Sequence, residues 1–212
     1  MKYLIIILCF ISFPVFGSDW SLEGKTGQYF PTDKEIQNGH FAQINLIRQD
    51  IYIFGSLINS ERRLGGQRAG EIDIYGIGLG IKFPISKYVK FWGQVGYYIP
   101  DSQMSGTMQF EESQWLNWRD WGQRFAYNGV IPLRIYSYDI QSNFGGAIGL
   151  EGQRPLTKHL SIGMDVGYNF LQFIETFKAI HPNVAQNGSW IETRQDKNFG
   201  GATLGLKISY KF

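Results

Sequence analysis

The sequence predicts an all-β protein, a closed antiparallel transmembrane β-barrel of eight strands, and three observations carry that prediction. Residues Gly200–Phe212 alternate without a break, with Ala202, Leu204, Leu206, Ile208, Tyr210 and Phe212 on one face and Gly201, Thr203, Gly205, Lys207, Ser209 and Lys211 on the other. A strand points successive side chains to opposite faces, so this is an amphipathic strand with one apolar side. Seven earlier segments read as strands, all but the third with the same alternation. The connections between them run long, short, long, short, long, short, long, as extracellular loops and periplasmic turns do.

The first residues set the compartment. Lys2 supplies a positive start, Leu4–Ile11 an apolar run and Val15-Phe16-Gly17 a cleavage region, so residues 1–17 read as a cleaved signal peptide and 18–212 as the barrel. Cys9 is the single cysteine and lies in that leader, which excludes disulfides and thiol chemistry from the mature chain. Charge is nearly balanced, with 20 Lys and Arg, one of them in the leader, against 18 Asp and Glu, so nothing invokes nucleic acid. The 26 glycines and 16% aromatics, with no later run of about 20 apolar residues, suit strands that face lipid on one side and a polar lumen on the other.

In order, the expected strands are Trp20–Phe30, Phe41–Arg48, Ile51–Asn59, Ile72–Phe83, Lys90–Ile99, one within Arg134–Gly152, Leu160–Phe170 and Gly200–Phe212. Pro31 ends the first, because proline donates nothing to a ladder. The third is apolar almost throughout, which leaves its facing open. Ser60–Gly70, Pro100–Val130 and Lys178–Asn198 read as long loops, and Pro155–His159 as a tight turn. The hairpin Gly78-Leu79 … Pro84 … Lys87 … Val95-Gly96-Tyr97 recurs without a gap at Gly149-Leu150 … Pro155 … Lys158 … Val166-Gly167-Tyr168, two equivalent hairpins of one barrel.

In lipid every backbone group must be paired internally, so a spanning sheet has to close on itself. Eight strands enclose a lumen that side chains can fill. The alternation places Glu23, Lys25, Lys82, Asp139, Glu151, Asp165 and Lys207 in that lumen, with Lys211 at its end. Isolated buried charges are costly, so these are expected to pair or to keep water. Phe83, Phe91, Tyr210 and Phe212 are expected in a periplasmic aromatic girdle, with Tyr97, Tyr136 and Tyr168 in the opposite one.

A leader, eight alternating strands, long loops on one side and a terminal Tyr210-x-Phe212 resemble the small outer-membrane barrels of the OmpA, OmpX and OmpW type. The resemblance implies a bacterial outer-membrane location, contact with outer-membrane lipid and lipopolysaccharide, and a monomer. It also implies that the barrel-assembly machinery reads Tyr210 and Phe212. It suggests a non-enzymatic role in envelope integrity or surface recognition through the extracellular loops, a host or surface ligand included. A narrow channel for small or hydrophobic solutes is the alternative.

Catalysis finds little support. Hydrolytic barrels need a histidine oriented by an acid beside a nucleophile or water, and His40, His159 and His181 lack such neighbours in sequence. A lipid A-modifying enzyme or protease is the weaker reading, and neither a cofactor nor a metal is expected. The most unusual stretch is Glu111–Tyr127, which holds Trp115, Trp118, Arg119, Trp121 and Arg124. Trp and Arg dominate interface energies, so these five form a candidate binding patch. The same residues would also suit the outer-leaflet surface or a plug over the lumen. Arg62, Arg63 and Arg68 could pair lipopolysaccharide phosphates, or simply be solvated.

Overall fold

A computed structural model describes residues 19–64, 67–104, 106–110, 131–180 and 191–212. The expected signal peptide and the Trp115–Arg124 patch lie outside the described residues. Among those described, the strands are β1 (Trp20–Pro31), β2 (Gly39–Arg48), β3 (Ile51–Leu64), β4 (Gln67–Pro84), β5 (Val89–Met104), β6 (Gly106–Phe110), β7 (Ile131–Gln141), β8 (Asn143–Pro155), β9 (Leu160–Phe170), β10 (Gln172–Ile180), β11 (Ile191–Asn198) and β12 (Gly201–Lys211). Eight of them close a barrel in the order β1-β12-β9-β8-β5-β4-β3-β2, and β11-β10-β7-β6 form a second sheet. Every pairing is antiparallel, and β1 closes on β12 from Ser21↔Lys211 to Pro31↔Gly201.

The periplasmic end carries the short connections. Gln49, at φ 58°, makes the first of them possible between β2 and β3. Ser86 Oγ accepts from the Val89 amide at 3.2 Å, and Thr157 Oγ1 from the Leu160 amide at 3.0 Å, fastening the other two.

Outward positions form the lipid-facing belt. Ile44, Ile53, Leu79, Val95, Ile148, Val166 and Leu206 are all exposed apolar side chains on successive strands. Aromatic pairs bound it. Phe83 and Phe91 lie 6.4 Å apart between ring centres on the periplasmic side, as do Tyr210 and Phe212 at 5.3 Å. Tyr97 with Phe144, and Tyr168 with Phe170, stand opposite at 5.2 and 5.0 Å. The Tyr136 side chain lies outside the described residues.

Inward positions are filled by aromatics set against glycines. A Cβ on Gly149 would stand 2.3 Å from the Val166 carbonyl and 2.5 Å from the Trp92 ring, and one on Gly167 2.6 Å from the same ring. Gly76 makes the same room for Tyr98. Here also is why β3 is apolar on both faces. Ile51 and Ile53 meet lipid, while Tyr52, Phe54 and Ile58 enter the interior, each no more than 4% exposed.

The expected strand within Arg134–Gly152 is two strands. The ladder breaks at Ser142, where Asn143 caps the chain by accepting from the Phe144 amide at 2.8 Å and donating to the Gln172 carbonyl at 2.9 Å. The side-chain alternation is therefore carried across an irregularity. Asp139 lies in β7 of the second sheet, exposed, and is not a lumen charge, whereas its neighbour Ile140 is buried. The expected loop Ser60–Gly70 largely continues β3 and β4 as a projecting hairpin. The other two long loops contribute the end of β5, β6, the end of β10 and all of β11.

Candidate functional site

Backbone register sets up the interior site. Across β1 and β12, Lys25 stands opposite Lys207, and across β8 and β9, Glu151 stands opposite Asp165. Like charges directly across a ladder repel. The compensation comes from the far walls of the barrel. Lys82 Nζ lies 2.8 Å from both Glu23 carboxylate oxygens and 2.9 Å from both of Glu151. Lys207 Nζ reaches Glu23 at 2.9 Å and Glu151 at 2.8 Å. Lys25 Nζ donates to Asp165 at 2.8 Å and stands 4.5 Å from the centre of the Trp92 ring. The remaining acceptors are met by Asn45 Nδ2 on Glu23 at 2.8 Å and Ser209 Oγ on Glu23 at 3.0 Å.

Three lysines and three carboxylates thus balance, and none of their side chains is more than 2% exposed. This arrangement exists only once the sheet has closed. Each carboxylate is engaged by ammonium groups, so the cluster ties β1, β4, β8, β9 and β12 together across the interior. His40 Nδ1 meets Gln28 Nε2 at 3.1 Å on the surface, and His159 sits in a periplasmic turn with Nδ1 2.9 Å from the Lys211 carbonyl. His181 lies outside the described residues. Among the described residues no group of three or more His, Cys, Asp or Glu could hold a metal ion.

Above the charged layer lies an apolar one of Tyr29, Ile36, Tyr98, Ile140, Leu171, Phe173 and Phe199, all buried and in one cluster. The Tyr29 hydroxyl donates to the Phe199 carbonyl, and Phe173 meets Phe199 edge-on at 5.3 Å. Between the charged and apolar layers is a void of only about 10 Å³, lined by Gln43, Trp92, Asp165 and Asn169 among others.

A third layer fastens the second sheet to the barrel. Arg62, fully buried on β3, donates from Nε and Nη2 to the two carboxylate oxygens of Glu175 on β10, at 3.2 and 3.1 Å. Its Nη1 donates to Glu35 at 2.8 Å. Lys197 on β11 pairs with Asp33 at 2.9 Å and also with Glu35. Burial pushes the Glu35 and Asp33 carboxyls up, but Arg62 and Lys197 outweigh it and hold both below their ordinary values. Arg62 is therefore committed to the fold and is not a free phosphate-binding side chain. Arg63 beside it is exposed. Sequence reasoning missed Glu35, Glu175 and Lys197, because Arg62 and Glu175 are 113 residues apart and no spacing joins them.

The other expected residues are placed as follows. Glu23, Lys25, Lys82, Glu151, Asp165 and Lys207 come together in the interior, and Lys211 lines a periplasmic cavity below them. Tyr210 and Phe212 are exposed at the periplasmic edge of the belt, with His159 stacked on Tyr210 at 6.0 Å.

No protein-family model matches the sequence, and no curated protein matches it. Among solved structures the chain is similar to the outer membrane protein OprG from Pseudomonas aeruginosa, at 12% identity and a TM-score of 0.56, over 92% of this chain and 96% of that one. It is also similar to Neisserial surface protein A, at 10% identity and a TM-score of 0.49, over 92% and 98%. A third similar structure is Ail, the attachment invasion locus protein of Yersinia pestis, at 15% identity and a TM-score of 0.35, over 91% and 96%. At such identities the likeness concerns the fold. A closed eight-stranded sheet, a lipid-facing apolar belt between two aromatic girdles and this likeness in fold make the chain a small eight-stranded β-barrel protein of the bacterial outer membrane.

Proposed function

We propose that the protein is a non-conducting, non-enzymatic barrel that works at the cell surface through its extracellular segments, in recognition or in holding the envelope together. The filled interior is the observation that carries this reading. A buried, balanced charge cluster, a buried apolar layer and an ion-pair network centred on the buried Arg62–Glu175 pair follow one another along the barrel axis. A solute path would need water or a hydrated lining through those layers, so their packing speaks against the channel alternative. Loops on a rigid sheet are where such scaffolds carry binding.

The Trp-rich segment is the proposed contact surface for a host or surface ligand, with Trp115, Trp118 and Trp121 as anchors and Arg119 and Arg124 as polar partners. Lipid and lipopolysaccharide surround the protein, which acts as a monomer, and the barrel-assembly machinery reads Tyr210 and Phe212. Replacing the three tryptophans with serine should leave heat-modifiable barrel in the outer membrane at wild-type levels while cell-surface adhesion falls at least tenfold. Unchanged adhesion with an assembled barrel would remove the recognition role.

A further inference from the structure

At its periplasmic end the barrel interior opens into a vestibule of about 370 Å³, which the surface-recognition reading does not use. Its floor is the buried charge cluster, through Glu23, Lys82 and Glu151. That floor is electrically closed, because Lys25, Lys82 and Lys207 are balanced by Glu23, Glu151 and Asp165 within 4 Å. The walls are not balanced. Lys90, Lys158 and Lys211 line the cavity, and Asp19 is the one further acid among its lining residues.

The three lysines have a specific reason to stay uncompensated. Lys90 stands directly across the ladder from Glu151, the carboxylate that could neutralise it. Both Glu151 oxygens are already taken by Lys82 and Lys207. Lys211 stands across from Ser21, and Lys158 sits in the exposed turn between β8 and β9. Lys90, Lys158 and Lys211 form no ion pair with any described residue. The remaining wall combines hydrogen-bonding groups with the aromatics Trp20 and His159 and the apolar Ile47 and Pro155. Ser161, Ser209, Gln153, Thr157 and Trp20 all line it.

We propose that this vestibule binds a small hydroxylated anion from the periplasm, one carrying phosphate or carboxylate groups. An excess of positive charge in a concave, partly desolvated wall focuses field on anions more strongly than the same lysines on an open surface. Ammonium groups take phosphate and carboxylate through charge-assisted hydrogen bonds. The hydroxyls and amides beside them suit a ligand that has hydroxyl groups of its own, and the volume suits one of sugar-phosphate or tricarboxylate size. The neutral, fully paired floor explains why such an anion would stop at the vestibule.

The test uses full-length refolded protein in neutral detergent, free of anionic lipid, at fixed ionic strength set with sodium chloride. Inorganic phosphate, citrate and glucose are titrated while the Trp20 indole and the Gln153 and Ser161 amides are followed by NMR. Saturable shifts with phosphate or citrate, and none with glucose, are expected, and the tighter of the two anions separates the phosphate class from the carboxylate class. The triple variant K90Q/K158Q/K211Q should weaken that binding at least tenfold. Should it fail to refold, K158Q alone, in an exposed turn, should weaken it about threefold. Absence of saturation with both anions would overturn the proposal, as would equal affinity in a folded variant or equal response to glucose.

Discussion

Gly149 and Gly55 face opposite sides of the same wall, and their surroundings differ completely. A methyl group on Gly149 meets the Val166 carbonyl and the Trp92 ring, neither of which can move far, whereas one on Gly55 meets nothing within 4 Å. Gly149→Ala should therefore destabilise the barrel by about 1–3 kcal/mol through overpacking. Gly55→Ala should stay within about 0.5 kcal/mol of wild type. Urea unfolding of refolded protein in lipid vesicles measures both, and equal values would contradict the glycine–aromatic packing described here. The same contrast shows what the sequence conveys. Glu23, Lys25 and Lys207 could be assigned to the interior because a charge on an alternating strand has only one tolerable side in a membrane. Tyr52 and Phe54 could not, since an aromatic residue is at home on either side and their strand is apolar almost throughout. The partner that fixes each, a glycine on another strand, is invisible until the register is known.

At the scale of the strand, facing is the quantity that decides cost. Leu206 points to lipid and Ser209, three residues on, points into the interior at the periplasmic end. Leu206→Arg should cost about 2–4 kcal/mol near the membrane centre. Ser209→Arg should cost less than half as much, since its side chain opens onto the vestibule and lies beside Glu23. The reverse order in equilibrium unfolding would put the register of β12 off by one. Asp139 illustrates how such an error arises. Counting by twos is reliable only along an unbroken ladder, and Ser142 interrupts this one with no proline or glycine to announce it. The barrel strands themselves were legible, Leu160–Phe170 to the residue, because their alternation is long and clean. The second sheet was not, because polar segments such as Ile191–Asn198 carry the composition of a loop.

Across the whole molecule, the second sheet is held to the barrel by the apolar cluster that Ile140 and Phe173 share with Tyr29 and Tyr98, and by the ionic contacts of Arg62 and Lys197. Removing the Arg62 guanidinium leaves Glu175 buried without its bidentate partner, the costly way to break such a pair. Arg62→Met should therefore raise hydrogen exchange in β10 and β11 at least tenfold while β1, β9 and β12 remain protected. Uniform protection would mean that the second sheet is held by other means. The pH dependence follows from the lowered carboxyls of Asp33 and Glu35. A group whose folded pKa is depressed contributes fully above its unfolded value and loses that contribution as pH falls through the folded one. Exchange in β10 and β11 should accordingly be unaffected by this network from neutral pH down to the ordinary carboxylate range, and rise progressively as pH falls through that range towards the lowered values.

A barrel whose interior is closed by a buried charge cluster and a buried apolar layer should not pass ions, and planar-bilayer recording of the refolded wild-type protein tests that claim most directly. The account predicts no discrete current steps above baseline in molar potassium chloride at either polarity. Stable, reproducible single-channel openings would contradict it, because they would require a hydrated path through the cluster of Glu23, Lys82, Glu151 and Lys207 and the apolar layer above it.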